Sequence, residues 1–433
     1  MCRAPVWGVL LLAVLLTACD ADRARLTEDG RIPIRVYLLL ISTEQVEFYE
    51  WAESTYEARN PGVDIMIEQF PGSSLKDYEI KLRLRYSSGQ APDVFHVHAN
   101  VMAELSELGL LEPAPSFIDS LVETEGRTEM IRQATVIDGV NYGMVSDVTP
   151  TVLYYNKDIF REAGLDPQQP PRTWEELIAY AERTAQHDAN GQVTRAGISL
   201  RKRGFKPGTA EKWLSFLYSA GGEGFNEAGT RARFNSPAGR EALEFYETIL
   251  FDKKLDAINL EGDQQGFAQG KAAMFIREVH VIRWLKRNYP DLDFGVATLP
   301  RRDTSLSSGT PYVWNVSTQT AHPEASWRFV EFLMSPETRA RYASIGGVIP
   351  VTRSVASRPE FRDDPYLSTL LEQDVKKVNL FPRAGRATGR LGAYIERFCY
   401  GRMSVEETLS RAEREVNALL RRNQDEEVVA DGS

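Results

Sequence analysis

The sequence predicts an α/β protein of two domains, on three observations. Its 433 residues exceed what one ordinary hydrophobic core organises. Hydrophobic content of 42% and charged content of 26% are those of a soluble globular chain. Short apolar runs alternate with helical segments, the order that builds a mainly parallel sheet covered on both faces.

In chain order, residues 34–41 form a nearly continuous apolar run broken by Arg35, as in a strand buried on both faces. A helix over 44–59 is stopped by Asn60-Pro61-Gly62. Residues 63–70 alternate and read as a second strand, 75–86 as a helix, and 93–97 as a third strand after a turn at 89–92. An amphipathic helix over 102–110 and a loop at 111–115 follow.

The middle of the chain carries clear stop and start signals. A strand over 152–155 ends at Asn156, whose side-chain oxygen suits the free amides of a helix start. That helix ends at Gly164, where a left-handed residue costs least. Pro170 and Pro171 stiffen a connection, and Thr173 with Glu176 forms a capping box. Trp174, Leu177, Ile178 and Ala181 then share one helical face. A helix over 212–220 ends at Gly221-Gly222, and Ser236 caps another that has Pro237 in its first turn. Leu243, Tyr246, Ile249 and Leu250 line the buried side of that helix.

Residues 267–276 run from a helix end into a strand, and 294–300 form another strand. A helix over 323–334 carries Trp327, Phe329 and Phe332, and Ser335-Pro336-Glu337 begins the next. Phe381 to Thr388 reads as an arginine-rich loop. The last helix, 404–420, has a capping box at Ser404 and Glu407 and a stripe of Val405, Leu409, Ala412, Val416 and Leu419. The acidic residues 423–433 are expected to form a disordered tail.

Net charge of −10 and the lack of aromatic-basic interleaving argue against nucleic acid as a partner. Arg201-Lys202-Arg203 reads as a solvated loop cluster. At the N-terminus, Arg3 precedes an apolar core from Val6 to Leu16, too short to span a bilayer and fitting a secretory signal peptide over 1–18. Of three cysteines, Cys2 would leave with the signal, and Cys399 sits between Phe398 and Tyr400 as a buried structural residue. No intramolecular disulfide framework is expected.

Several strings resemble one family. They are Tyr142-Gly143 with Pro150, Tyr154-Tyr155-Asn156-Lys157-Asp158-Ile159-Phe160, Ala163-Gly164-Leu165 and Pro171-Arg172-Thr173-Trp174-Glu175-Glu176-Leu177. Further strings are the Gly-Gln-Ala-Pro-Asp-Val at 89–94, the passage 267–276, Phe294 to Pro300, and Gly346 to Val351. Together they resemble family 1 of the bacterial extracellular solute-binding proteins, the maltose-binding-protein-like receptors of ABC-type sugar importers. The resemblance covers most of residues 33–422.

It implies a two-lobe periplasmic binding protein fold of type II. Lobe 1 would comprise 33–147 and 299–334, and lobe 2 would comprise 148–298 and 335–422. It further implies a sugar or related small polar solute captured between the lobes by hinge closure, with ABC permease subunits as partners. The four residues Leu16-Thr17-Ala18-Cys19 resemble a lipobox, which implies lipid on Cys19, a tether over 19–32, and a periplasmic or cell-surface location. Asp20 after the cysteine resembles an inner-membrane retention signal. A plain signal peptide or anchor with Cys19 incidental is the alternative. A monomer without cofactor, catalytic residue or metal is expected.

Sugar recognition needs planar polar groups for the hydroxyls and aromatic faces for the ring. The family resemblance points to residues past the third strand, His96, His98 and Asn100. Both histidines fall on one strand face; a metal pair or a structural pair are the other readings. Asp147 and Thr149 lie in the crossover segment, with a solvated hinge turn as alternative. Arg277, Glu278 and His280 stand where the family often carries an aromatic, which points to a more polar or charged solute; an Arg277–Glu278 surface pair is equally compatible. Tyr312 and Trp314 are stacking candidates, though Trp314 also suits a core. Arg383 and Arg386 could read an anionic group or lie solvated, and Ser42 and Thr43 end the first strand. A secreted carbohydrate-active enzyme would need a carboxylate pair that spacing cannot identify. No nucleophile elbow, His-Glu-x-x-His or phosphate loop is found. A solute sensor for a signalling partner is the third reading.

Overall fold

The structure is a computed structural model describing residues 26–39, 43–70, 75–128, 131–132, 134–204, 206–226, 229–261, 263–304, 309–346, 348–371 and 384–431. Seven strands carry the architecture. They are β1 (Ile32–Leu38), β2 (Val63–Gln69), β3 (Val94–His98), β4 (Met144–Asn156), β5 (Met274–Glu278), β6 (Phe294–Ala297) and β7 (Gly309–Val316). The chain packs into two compact units. The first holds residues up to Ser146 with Tyr312–Gly346 and Val351–Val355; the second holds Asp147–Pro311, Gly347–Pro350 and the rest.

In the first unit the strand order is β2-β1-β3-β7. β1 runs parallel to both β2 and β3, and β7 returns antiparallel to β3. The helices Thr43–Arg59 and Leu75–Ser87 supply the crossovers, as parallel neighbours require. Ile34, Val36, Tyr37 and Leu38 are all buried, so β1 is covered on both faces. Tyr37 stacks on Tyr78 at 4.9 Å. Phe329 and Trp327, buried on the helix Pro323–Leu333, extend this core.

In the second unit β4 lies between β5 and β6, antiparallel to both. This corrects the mainly parallel sheet expected there. β4 has thirteen residues, all but one buried. A strand covered on both faces reads as the same apolar run whichever way its neighbours point, so sequence pattern does not fix direction. The parallel pairs described in this unit are isolated bridges, Ala196–Ala272 and Ser199–Phe275 beside β5 and Thr173–Arg301. Gly295 sits opposite Tyr155, and a Cβ there would come 2.1 Å from the Tyr155 ring; the glycine lets the ring lie across the neighbouring backbone.

The expected caps are present. Asn156 Oδ1 accepts from the Ile159 amide at 3.0 Å, Thr173 Oγ1 from Glu176, Ser236 Oγ from Gly239 and Ser404 Oγ from Glu407, each of these three at 3.2 Å. Gly164 takes φ +67° where its helix ends. Trp174, Leu177 and Ala181 are buried in the core of this unit beside Phe216, Phe245 and Tyr246. Two elements differ from expectation. The residues read as an arginine-rich loop enter a helix, Ala384–Cys399, which packs along the helix Lys206–Ser219. The last helix, Val405–Asp431, continues through most of the expected tail. In its stripe Val405, Leu409, Ala412 and Val416 are buried, with Leu420 rather than Leu419 as the innermost end.

Candidate functional site

Two polar clusters collect the sequence candidates, one in each unit. The first is built on the β3–β7 pair. Its register sets Tyr312 opposite His98 and Trp314 opposite His96. The two-residue period of each strand then puts all four rings on one sheet face. His98, the last residue of β3, lies at the carboxyl end of a parallel sheet, where open α/β sheets take their ligands. Ring centroids are 4.2 Å apart for His98–Tyr312, 5.1 Å for His96–Tyr312 and 4.5 Å for His96–Trp314.

Trp314 is only 1% exposed and also meets Tyr49 at 6.0 Å, so its indole is packing. Tyr312 and His98 are half-buried and keep surface for a solute. His96 Nε2 lies 2.5 Å from Ser146 Oγ. Ser146 Oγ donates its one proton to the Tyr312 carbonyl at 3.2 Å. The Ser146 hydroxyl thus ties the His96 ring to the β7 backbone. Burial, with the nearby charge of Arg339, pushes His96 down to about 3. Burial likewise pushes His98 down to about 4. Both rings are neutral at pH 7.

Arg339 is a residue the sequence did not mark. It is buried on the helix Pro336–Gly346, donates to the Ser146 carbonyl and lies 4.6 Å over the Tyr342 ring. Nothing in Pro-Glu-Thr-Arg-Ala-Arg-Tyr distinguishes it from the solvated Arg341 of an amphipathic helix. Asp147 and Thr149 stand inside β4 and not in a turn; Asp147 is buried and Thr149 half-buried.

The second cluster surrounds the end of β5. Glu278, half-buried, accepts from Lys212 Nζ at 2.5 Å and from Arg277 Nε at 2.7 Å. The Tyr154 hydroxyl donates to the Glu278 carbonyl at 2.7 Å and holds this strand end. Burial alone would raise the Glu278 carboxyl, but Lys212 and Arg277 outweigh it and hold it well below the ordinary carboxylate range. His280 is lowered, chiefly by burial. Arg277 and Glu278 thus pair as one expectation had it, but as part of a half-buried group and not a solvated one.

Lys212, Glu211 and Arg201 join this cluster unforeseen. Lys212 is 1% exposed on the Lys206–Ser219 helix, where a lysine among Trp213, Leu214 and Phe216 was the available signal. The Arg201-Lys202-Arg203 run is solvated only in part: Arg203 is exposed and Arg201 half-buried. Lys202 is 2% exposed and pairs with the buried Asp256, whose other oxygen accepts from the Leu200 amide at 2.9 Å. Charge compensation is what lets a lysine sit there.

Ser42 and Arg383 lie outside the described residues, as do the N-terminal segment with Cys19 and Asp20, and the side chains of Thr43, Asn100 and Arg386. The backbone of Asn100 follows β3 in a short 3-10 turn, Thr43 opens the first helix, and Arg386 is helical. Cys399 is buried, and burial pushes its thiol up. Among the described residues no helix is long and apolar enough to cross a membrane.

A putative binding protein of Brucella abortus (strain 2308) is 25% identical over 421 residues, 95% of this chain and 97% of its own length. The maltotriose-binding protein of Pyrococcus abyssi is 26% identical over 348 residues, 78% of this chain and 71% of its own. Among solved structures, the cyclic α-maltosyl-1,6-maltose binding protein from Arthrobacter globiformis superposes with a TM-score of 0.77 at 22% identity, covering 91% of this chain and all of that one. That likeness gives the fold, the two-lobe α/β architecture of periplasmic binding proteins. The model of the bacterial extracellular solute-binding proteins matches residues 51–369, and the chain belongs to that family.

Proposed function

We propose that this protein is the substrate-binding component of an ABC importer, that its solute is a carbohydrate or sugar derivative, and that it hands this solute to transmembrane permease subunits. The observation that carries the reading is the ring surface at the end of β3. Tyr312 and His98 offer partly open faces beside the neutral His96, which Ser146 holds in place, the mixture of aromatic wall and few oriented polar groups that small-molecule sites use. Relatives named for binding maltotriose and cyclic maltosyl-maltose support the solute class. The role is binding without turnover. Ser42, Thr43, Asn100, Asp147, Thr149, Arg277, Glu278, His280, Arg383 and Arg386 are proposed as further contacts.

A thermal-shift and tryptophan-fluorescence screen of neutral and charged sugars tests this. A ligand that binds only the native state raises the melting point, by an amount equal to about 2.7 kcal/mol at a hundredfold excess over Kd. Tyr312→Ala should weaken the response to that sugar with little change in the unliganded melt. A flat response across the panel, or hydrolysis of the ligand on incubation, sinks the reading.

We further propose export by a cleaved signal, lipid on Cys19, and a monomer tethered to the membrane through that lipid, held at the inner membrane where Asp20 is read. Cys19→Ser should move the protein from the membrane fraction to the soluble fraction. An unchanged distribution rules the anchor out.

A further inference from the structure

A surface cavity of about 850 Å³ lies wholly within the first unit. Ile32 and Val63, the first residues of β1 and β2 and partners in register, line it. It therefore stands at the amino end of the parallel strands, whereas His98 closes β3 at their carboxyl end. Its volume falls within the range of about 300–1,000 Å³ that small-molecule sites occupy.

Three kinds of group meet in its wall. The first is aromatic: Tyr56 is buried and Phe332 half-buried, with ring centroids 5.2 Å apart and planes inclined by 52°. The second is planar and polar. Arg328 and Glu331 sit one turn apart on the helix Pro323–Leu333, and Arg328 Nη1 donates to Glu331 Oε2 at 2.8 Å. The guanidinium also lies 3.9 Å over the Phe117 ring, so the pair is held from two sides. That bond engages one donor and one oxygen, which leaves further N–H groups of Arg328 and Oε1 of Glu331 for a ligand. Asn60 Nδ2 donates to the Tyr56 carbonyl at 2.9 Å, leaving its Oδ1 as an acceptor.

The third is an orphan. The His322 amide donates to Thr320 Oγ1 at 3.1 Å and its carbonyl accepts from Ser326 Oγ at 2.9 Å, so its backbone is pinned at the helix start. Its ring caps nothing. Among the described residues no group hydrogen-bonds its buried Nε2. Such a nitrogen has lost its water and gained no bond, which in a native protein asks for a reason. A ligand hydroxyl in the cavity would supply the missing partner.

We propose that this cavity is a second small-molecule site and that its ligand is a neutral saccharide of one or two rings. The aromatic wall suits the C–H face of a sugar ring, and the locked Arg328–Glu331 pair offers donor and acceptor side by side for neighbouring hydroxyls. The charges of that pair cancel. Glu324, exposed on the same wall, leaves one negative charge over, so a small ammonium is the competing ligand and an anion is not. The site does not depend on the ring surface at the end of β3.

The test is isotope-edited NMR of the histidine rings in the full chain. There are five histidines, and the signal lost in His322→Gln assigns that ring. Glucose, maltose and N-acetylglucosamine are titrated, with putrescine and inorganic phosphate as charged comparators. A neutral sugar should move the His322 signal saturably, with a Kd of about 1 mM or below. Ala321→Trp, at an exposed residue lining the cavity, should weaken that response about tenfold with an unchanged melting curve and unchanged responses of His96 and His98. Arg328→Lys, which keeps the charge but loses the fork, should weaken it as well. Movement with putrescine alone replaces the saccharide by a cation and overturns the assignment. Movement with phosphate alone, movement untouched by Ala321→Trp, or none at about 20 mM, which fills a site of about 1 mM Kd by roughly nine-tenths, overturns the site itself. Sugars that move His98 but not His322 leave the solute-binding reading standing without this site, and sugars that move His322 alone do the reverse.

Discussion

The buried side chains at the β3 end set a pH dependence. An unfolded histidine takes its proton near pH 6.5, whereas folded His96 takes it only at about 3. Between those values the unfolded chain holds more protons, so stability falls as pH falls. His98, pushed down to about 4, acts in the same direction. Glu79 opposes them: burial raises its carboxyl to about 7, so between about 4.5 and 7 its contribution grows as pH falls. Comparing His96→Gln with the parent isolates the histidine. The parent should lose up to about 2 kcal/mol more than the variant between pH 7 and pH 5, read by urea unfolding at each pH. Parallel losses would mean that His96 is not held neutral by its surroundings. The two histidines could be placed on one face from the strand period alone. Their partners could not, because Tyr312 and Trp314 arrive from more than two hundred residues away and only the β3–β7 register pairs them.

Among the elements, the helix starts were the most legible, because a cap is local chemistry: Asn156, Thr173, Ser236 and Ser404 each accept the amide that their position prescribes. The helix Ala384–Cys399 was not, because Gly385, Gly389 and Gly392 discourage a helical reading on propensity. Packing explains the third of these. A Cβ on Gly392 would come 1.8 Å from the Lys206 carbonyl, so the glycine is what allows the two helices to approach. Gly392→Ala should therefore destabilise by about 1–3 kcal/mol, although alanine is the better helix former. Denaturant unfolding of the variant checks this, and a gain in stability would show that the helices are not in close contact. The direction of the strands in the second unit was likewise hidden. β4 is buried along nearly its whole length, and its partners β5 and β6 come from more than a hundred residues later, so no local pattern reports that they return antiparallel.

At the scale of the whole molecule, the chain passes from one unit to the other at 146/147, 311/312, 346/347, 350/351 and 355/356. Neither unit is therefore a continuous stretch of sequence. β3 finds its antiparallel neighbour only when β7, Gly309–Val316, has been made, and the core beneath it awaits Trp327 and Phe329. During synthesis the first 146 residues thus emerge with an open sheet edge and exposed apolar surface, the condition that invites mispairing. A fragment of residues 26–146 should aggregate or bind a holdase when expressed alone, and become soluble when a second fragment spanning 309–355 is co-expressed. A monodisperse, cooperatively melting 26–146 would disprove that dependence. Completion of the first unit therefore comes late: the nascent chain cannot lock into its final shape before residues 312–355 have been made.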